Sequence, residues 1–197
     1  MKLTKMNKVE SFSQELELIL NPTIKEFATK AIQTLPDYLW EVGASSTGKY
    51  HPEYTLGKGG LIKHIRATIR ILVELFRMEM FNYFSSEEKD LMIVALLLHD
   101  GAKSGIVQQR FTVFDHPLII AEYIENHPDL QGILTKEQMD LMLGAVRSHM
   151  GAWNVDKNGQ QILPKPNTKF QNMVHIADYI ASRKMLEMNF DVPVSRE

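Results

Sequence analysis

The stretch Leu91-Met92-Ile93-Val94-Ala95-Leu96-Leu97-Leu98-His99-Asp100-Gly101-Ala102-Lys103 decides the fold of this chain. Its first eight residues are apolar without interruption, which predicts a helix that is buried on all sides. The run ends at a histidine and an aspartate, and burying these groups is costly unless something pairs with them. A bound metal ion would satisfy both groups. A core histidine beside a helix-terminal aspartate is the alternative that these two residues alone leave open.

The sequence on both sides predicts further helices around this one. Apolar side chains keep helical spacing over roughly 61–81, and capping-box patterns at 85–88, 135–138 and 168–171 predict three more helix starts. An Asn-Gly pair within 153–163 is typical of a surface hairpin. No stretch alternates well enough to build a sheet. The expected fold class is therefore all-α, a compact helical bundle with at most one small surface β-hairpin.

Length and composition are those of one globular domain, since 197 residues with 44% hydrophobic and 23% charged side chains are ordinary for that class. We expect a single domain over 1–197, with an N-terminal helical extension at 1–50 and a functional core at 51–187. Residues 1–10 are polar and are expected to fray. Pro22 suits the first turn of a helix.

Composition and charge argue against several classes of function. The formal net charge is −2, and no long basic run indicates a surface that coats nucleic acid. Cysteine is absent, which excludes disulfides, thiolate zinc sites and cysteine nucleophiles. The first residues lack the apolar core of a signal peptide, and the longest apolar run, at eight residues, is too short to span a bilayer. We expect a cytoplasmic protein with no membrane partner.

Six polar residues lie at the end of an element or on the apolar face of a predicted helix: His64, His99, Asp100, His116, His149 and Asp178. One or two core histidines would be ordinary. Four histidines and two carboxylates from five separate segments form a pattern that random core placement rarely gives. Imidazole and carboxylate ligands suit Mn, Fe, Co, Ni, Zn or Mg. Without thiolates, the site is expected to be a catalytic centre with bound water rather than a closed structural zinc site.

The order of these residues resembles that of the HD-domain superfamily of metal-dependent phosphohydrolases. That pattern is a histidine, a His-Asp pair and a late aspartate on a helical bundle, and the pair followed by Lys103 is a familiar form of the motif. The resemblance covers roughly residues 50–185, judged by motif order. The segment Gly59-Gly60-Leu61-Ile62-Lys63-His64 is similar to the HD domain of bacterial 3′–5′ exoribonucleases of the OB-fold plus HD type.

Two departures from such relatives narrow the expected substrate. We expect no OB-fold before this segment, which argues against processive RNA degradation. Gly151-Ala152-Trp153 follows His149 where the cyclic-di-GMP phosphodiesterase branch carries Gly-Tyr-Pro, which argues against cyclic-di-GMP hydrolysis. The resemblance implies hydrolysis of a small phosphorylated substrate, a nucleotide or a short oligonucleotide.

The resemblance also implies roles for individual residues, with one or two divalent metal ions as cofactor. A first ion would be held by His64, His99, Asp100 and Asp178, and a second by Asp100 as a bridge with His116 and His149. Asp100 and Lys103 would be catalytic, the lysine acting as a point charge on a phosphate oxygen. Other candidates for contact with the substrate are His51, Trp153, His175 and Arg183; the indole could stack on a base.

Two other functions stay open at this point. A non-catalytic metal- or nucleotide-binding module, docking on a partner through residues 11–42, would bind nucleotide tightly without turning it over. A metal-dependent oxygenase on the same scaffold is the second, since histidine and carboxylate ligands also suit a di-iron centre. Lys103 and the lack of extra carboxylate ligands argue against that second function.

Overall fold

Helix α5, Ser86–Leu98, lies inside the fold, and every side chain from Asp90 to Leu98 is buried. The structure, a computed structural model, describes residues 4–45 and 47–196. The other helices in these ranges are α1 Lys5–Glu10, α2 Ser13–Glu17, α3 Pro22–Thr34, α4 Gly60–Phe76, α6 His116–Asn126, α7 Lys136–Ser148 and α8 Lys169–Ala181. Helices α3, α4, α7 and α8 pack against α5. No named strand occurs in the described residues, so the all-α prediction is confirmed.

The predicted helix starts are largely confirmed by the caps. Ser85 and Thr135 each form a complete capping box at the start of α5 and α7. The third box is only half present. The Thr168 hydroxyl accepts from the Gln171 N–H, but the Gln171 side chain accepts from the Asn167 N–H instead of from the cap residue.

Two segments depart from the predicted helix bounds. The long helix predicted over 61–81 ends at Phe76, and a short 3₁₀ helix, Glu79–Phe81, follows it. The predicted hairpin within 153–163 is reduced to a turn with one antiparallel bridge between Val155 and Gln161.

The N-terminal segment is more helical than its polar sequence predicts. Residues 1–3 lie outside the described residues, but the expected fraying is wrong for Lys5–Glu10, which form α1. Thr4 caps this helix, and Lys8 connects it to the residues that follow α3. The buried Lys8 ammonium donates to the Leu35 carbonyl at 2.5 Å and pairs with Asp37 at 2.7 Å. A long-range contact, absent from any local pattern, therefore stabilises this helix.

A single cluster of buried apolar side chains extends from Phe12 and Leu16 near the N-terminus to Met142 in α7 and Val174 in α8. The N-terminal helices thus share their core with the rest of the bundle. The domain division near residue 50 stays a prediction. No helix in the described part of the chain combines the length and the apolar character needed to cross a bilayer.

Candidate metal centre

Five segments bring the six predicted ligands into one cluster. His64 lies in α4, and its Nε2 is 3.0 Å from Oδ1 of Asp178 in α8, the helix against which α4 packs. His99 and Asp100 follow the last residue of α5, while His116 opens α6 and His149 caps the end of α7. Helix ends are suited to this role because they place side chains at the edge of the core without interrupting it.

Asp100 stands between the two predicted sets of ligands. Its Oδ2 lies 3.9 Å from Nε2 of His64 and 3.5 Å from Nε2 of His99. Its Oδ1 lies 3.0 Å from Nε2 of His116 and 3.8 Å from Nε2 of His149. One carboxylate oxygen therefore faces each set, which is the arrangement that a bridging ligand requires.

Three groups of side chains have ligand atoms within 4.8 Å of one another: His64 with His99 and Asp100, His99 with His149 and Asp178, and Asp100 with His116 and His149. The first and third groups follow the predicted division between two ions that share Asp100. The second group combines ligands predicted for different ions, because His149 also lies near His99, with 4.8 Å between their ring centroids. The geometry accommodates one ion or two.

Three of the histidines are fixed in the tautomer that metal binding requires. The Nδ1 atoms of His99, His116 and His149 each lie 2.7 or 2.8 Å from the carbonyl oxygen three residues earlier. A carbonyl oxygen only accepts, so Nδ1 carries the proton, and Nε2 of the neutral ring presents its lone pair to the cluster. Such backbone contacts orient ligating histidines in metalloproteins.

Several buried polar atoms in the cluster lack a hydrogen bond. They include Nε2 of His99, Nε2 of His116 and Oδ1 of Asp100. The 3.0 Å between His116 Nε2 and Asp100 Oδ1 does not join a donor to an acceptor when the His116 proton is on Nδ1. Facing lone pairs in the core are unfavourable unless a cation lies between them. The residues present therefore fit a divalent metal ion.

Electrostatics keep three of these groups, Asp100, Asp178 and His149, in the ionisation state that ligands need. Burial alone would raise the pKa of Asp100, but Lys103, whose Nζ is 2.5 Å from Oδ2, and His99 more than offset it, so that pKa lies well below its usual range. The pKa of Asp178 is likewise lowered by His64 and His99 against the effect of burial. Burial lowers the pKa of His149 to about 3. Ionised carboxylates and neutral imidazole are the metal-binding forms.

His99 differs from His149 in this respect. Burial would lower its pKa, but the nearby carboxylates of Asp100 and Asp178 outweigh burial and raise it. The two carboxylates thus favour positive charge at the centre of the cluster.

A family model described as HD domain matches residues 61–183, more than half of the chain, and this range contains all six clustered residues. The chain belongs to the HD domain family. The resemblance to the HD-domain superfamily of metal-dependent phosphohydrolases is thereby confirmed. No curated protein and no solved structure matches the chain. The finer similarity to OB-fold plus HD exoribonucleases stays a prediction.

The cluster of this HD domain lies against a cleft of about 270 Å³. Every residue that the sequence predicts for the site lines the cleft, except the fully buried His99. Lys103 lines it while also contacting Asp100. His51 belongs to the wall, with its ring 5.3 Å from that of His64. Burial, followed by the nearby His64, lowers the pKa of His51 to about 4.

His175 is held at the cleft by the end of α7. Its Nδ1 donates to the carbonyl oxygen of His149 at 2.7 Å. The ring packs so closely on Gly151, whose φ is +58°, that a Cβ there would lie 2.2 Å from His175 Cε1. Glycine is required at this position by both the backbone conformation and the close approach.

Aromatic side chains at the cleft include two that sequence reasoning missed, Tyr50 and Tyr179. The predicted Trp153 lies beside Tyr179, and the predicted Arg183 contacts all three rings. Tyr179 could have been found, because it lies four residues after His175 and four before Arg183 in a helical row. Tyr50 carries no such signal, since only the folded loop brings it to the cleft.

Proposed function

We propose that this HD domain is a metal-dependent phosphohydrolase that cleaves a phosphate ester of a nucleotide or of a short phosphodiester. The observation that carries the proposal is the set of buried ligand atoms without hydrogen bonds, Nε2 of His99, Oδ1 of Asp100 and Nε2 of His116. When bound, one or two divalent ions supply an activated water and offset charge on the phosphoryl oxygens.

Asp100 and the histidines around it would hold the ions without reorganising. The rings of His99, His116 and His149 are already oriented by their carbonyl contacts, and each is at most 1% exposed. A rigid, buried ligand set strengthens the electrostatic interactions on which phosphoryl transfer depends.

Lys103 would act on the substrate itself. Its ammonium contacts Asp100 at 2.5 Å, and its side chain is 14% exposed at the cleft. From this position it would donate a charge-assisted hydrogen bond to a phosphoryl oxygen as negative charge builds up there.

The direct test is a substrate panel. Protein purified without chelator, then loaded separately with Mn, Co, Ni, Zn, Fe or Mg, is assayed for hydrolysis of phosphomonoesters, phosphodiesters and nucleotides. We expect at least one class to be hydrolysed and hydrolysis to stop when the metal is stripped. If no loaded form hydrolyses any member of the panel, the proposal is wrong.

Two further readouts separate the other functions. A nucleotide-induced rise in melting temperature without release of phosphate would contradict hydrolysis and indicate the non-catalytic binding module. Oxygen consumption by the iron-loaded protein, again without phosphate release, would indicate an oxygenase.

A further inference from the structure

Three aromatic side chains at the cleft leave much of their ring surface in solvent. Tyr50 is 48% exposed, Trp153 47% and Tyr179 41%. We call these three residues, together with Arg183, the aromatic rim. The proposed chemistry at the metal centre uses none of them. Large flat side chains left exposed beside a cleft are expected to contact what enters it.

Arg183 lies among the three rings. Its guanidinium carbon is 4.1 Å from the ring centroid of Tyr179, 5.8 Å from that of Trp153 and 5.9 Å from that of Tyr50. The planes of Trp153 and Tyr179 are close to parallel, at 23°. The guanidinium is held in place, because Nε donates to the Tyr179 carbonyl at 3.1 Å and a terminal nitrogen donates to Ser182 Oγ at 2.7 Å.

We infer that the aromatic rim is the subsite for the base of a nucleotide substrate, an assignment that rests on the proposed function and names its substrate class. Aromatic rings and arginine guanidinium planes are the side chains on which proteins stack unpaired bases. The rim offers both. A cationic ligand, the other usual occupant of a ring cluster, is disfavoured because Arg183 already supplies the positive charge.

The different burial of the rim and the metal centre favours a nucleotide over an aryl phosphate. The clustered ligands are at most 1% exposed, apart from the Asp178 side chain at 17%, whereas the three rings of the rim are 41–48% exposed. A nucleotide places a sugar between its phosphate and its base. In an aryl phosphate the ring is bonded directly to the ester oxygen, so it would stay beside the metal centre.

The kinetic test uses matched substrates that differ only in the base. Nucleoside 5′-monophosphates are compared with ribose 5-phosphate or, if diesters are the substrates, a dinucleotide with its abasic counterpart. Trp153→Ala and Tyr179→Ala should each raise KM for the nucleotide on the order of 10-fold or more, as expected for loss of one stacking contact. The kcat should stay unchanged, because stacking binds ground state and transition state alike.

The controls separate stacking from general damage. Trp153→Phe keeps a flat ring and should retain most of the affinity for the nucleotide. Hydrolysis of the base-free ester should be unaffected in all three variants. If wild-type protein hydrolyses the nucleotide and the base-free ester with equal KM, and Trp153→Ala changes neither KM, the base subsite is wrong while the proposed function stands. A preference for p-nitrophenyl phosphate that depends on Trp153 would overturn the nucleotide assignment in favour of an aryl phosphate.

Binding gives a readout that does not depend on turnover. The chain has two tryptophans. Trp40 lies outside the cleft, where its Nε1 donates a hydrogen bond to Ser11 Oγ at 2.9 Å. Trp40→Phe therefore leaves Trp153 as the only indole. In the metal-loaded variant, a nucleoside phosphonate that cannot be hydrolysed should quench Trp153 fluorescence, and the base-free phosphonate should not. Equal signals from the two phosphonates would overturn the inference. Failure to hydrolyse any ester would overturn the inference together with the proposed function.

Discussion

A buried carboxylate lies near each end of helix α5, Asp90 within the helix and Asp100 two residues after its last residue, and the chain pairs the two differently. Asp90 and Asp100 are each 1% exposed. Asp90 accepts hydrogen bonds from the backbone N–H groups of Leu20 at 3.1 Å and Asn21 at 2.8 Å, and it also pairs with Arg196. Both of its oxygens are therefore satisfied by groups of the protein.

Asp100 lacks such partners on one side. Lys103 satisfies Oδ2, but Oδ1 faces Nε2 of His116 and of His149 without a hydrogen bond. Since buried polar groups in native proteins are almost always paired, an unpaired one needs an explanation. Asp90 ties the N-terminal and C-terminal segments to the core, whereas we expect Asp100 to be completed by a metal ion from outside the chain. Of these two similar residues, one near each end of the same helix, we thus expect Asp90 to have a structural role and Asp100 a functional one.

The largest difference between Asp90 and Asp100 should appear in metal content and kcat when each carboxylate is replaced by its amide. Asp100→Asn should abolish metal binding and lower kcat by more than about 100-fold, because loss of a ligand exceeds the cost of losing a residue that merely orients one. Asp90→Asn, assayed well below its melting temperature, should keep the metal content and kcat of the wild type. Steady-state kinetics with elemental analysis of each variant measure both. An equal loss of activity in the two variants would contradict the difference.

For the free energy of unfolding, substitution of Asp90 should have a larger effect than substitution of Asp100. Asp90→Ala leaves Arg196 without its carboxylate partner and two backbone N–H groups unsatisfied, so the free energy of unfolding should fall by about 3 kcal/mol. Asp100→Asn in the chelated protein should cost less, since Oδ1 has no hydrogen bond to lose and only the contact of Oδ2 with Lys103 is weakened. Urea unfolding at constant ionic strength measures both values. A larger loss for Asp100→Asn than for Asp90→Ala would show that Asp100 is structural.

Acidification should lower the stability of the folded chain through His149, which burial keeps neutral. Burial lowers the pKa of His149 to about 3 in the folded chain, below the ordinary value of 6.5. The unfolded chain therefore takes up the proton first, and the stability that His149 contributes is present above pH 6.5 and lost as pH falls toward 3. By proton linkage, its contribution in the chelated protein should drop by about 2 kcal/mol between pH 7 and pH 5.

The matching variant for this measurement is His149→Gln, which cannot take up a proton. The difference in unfolding free energy between wild type and His149→Gln should shrink by that amount over the same pH range. A difference that is independent of pH would mean that His149 is not held neutral by burial.

Lys103 should show the smallest effect. Lys103→Met removes one charge-assisted contact with the phosphoryl group but leaves the metal ligands in place. It should lower kcat/KM by about 10-fold, since hydrogen bonds to charged groups contribute about 1.5–3 kcal/mol. Lys136→Met is the matched control, because Lys136 also pairs with an aspartate, Asp140 at 2.6 Å, but at the exposed surface. Loss of metal from Lys103→Met, or equal activity of the two variants, would refute the assigned role.

Local sequence patterns predict the centre of the fold well. The apolar run of α5 predicts a helix buried on all sides, and placement at helix ends and on apolar faces selects all six residues of the cluster. These signals succeed because they depend on neighbours three or four residues apart. The caps at Ser85 and Thr135 are confirmed for the same reason.

Features that depend on distant contacts could not be predicted in this way. The partners of Asp90 lie 69, 70 and 106 residues away along the chain. Helix α1 depends on Lys8 reaching Leu35, 27 residues away. Tyr50 joins the aromatic rim only through the fold of its loop. Charge and hydropathy also fail to show which buried carboxylate is satisfied, because that depends on the folded surroundings.

The most direct test of the account is metal content by elemental analysis, on protein purified without chelator or a histidine tag. Wild type, Asp100→Asn and Asp90→Asn are reloaded with the same metal and desalted before the measurement. We predict one or two divalent ions per chain in wild type and in Asp90→Asn, and none in Asp100→Asn. Equal metal content in wild type and Asp100→Asn, or none in wild type after reloading, would show that the cluster is not a metal site.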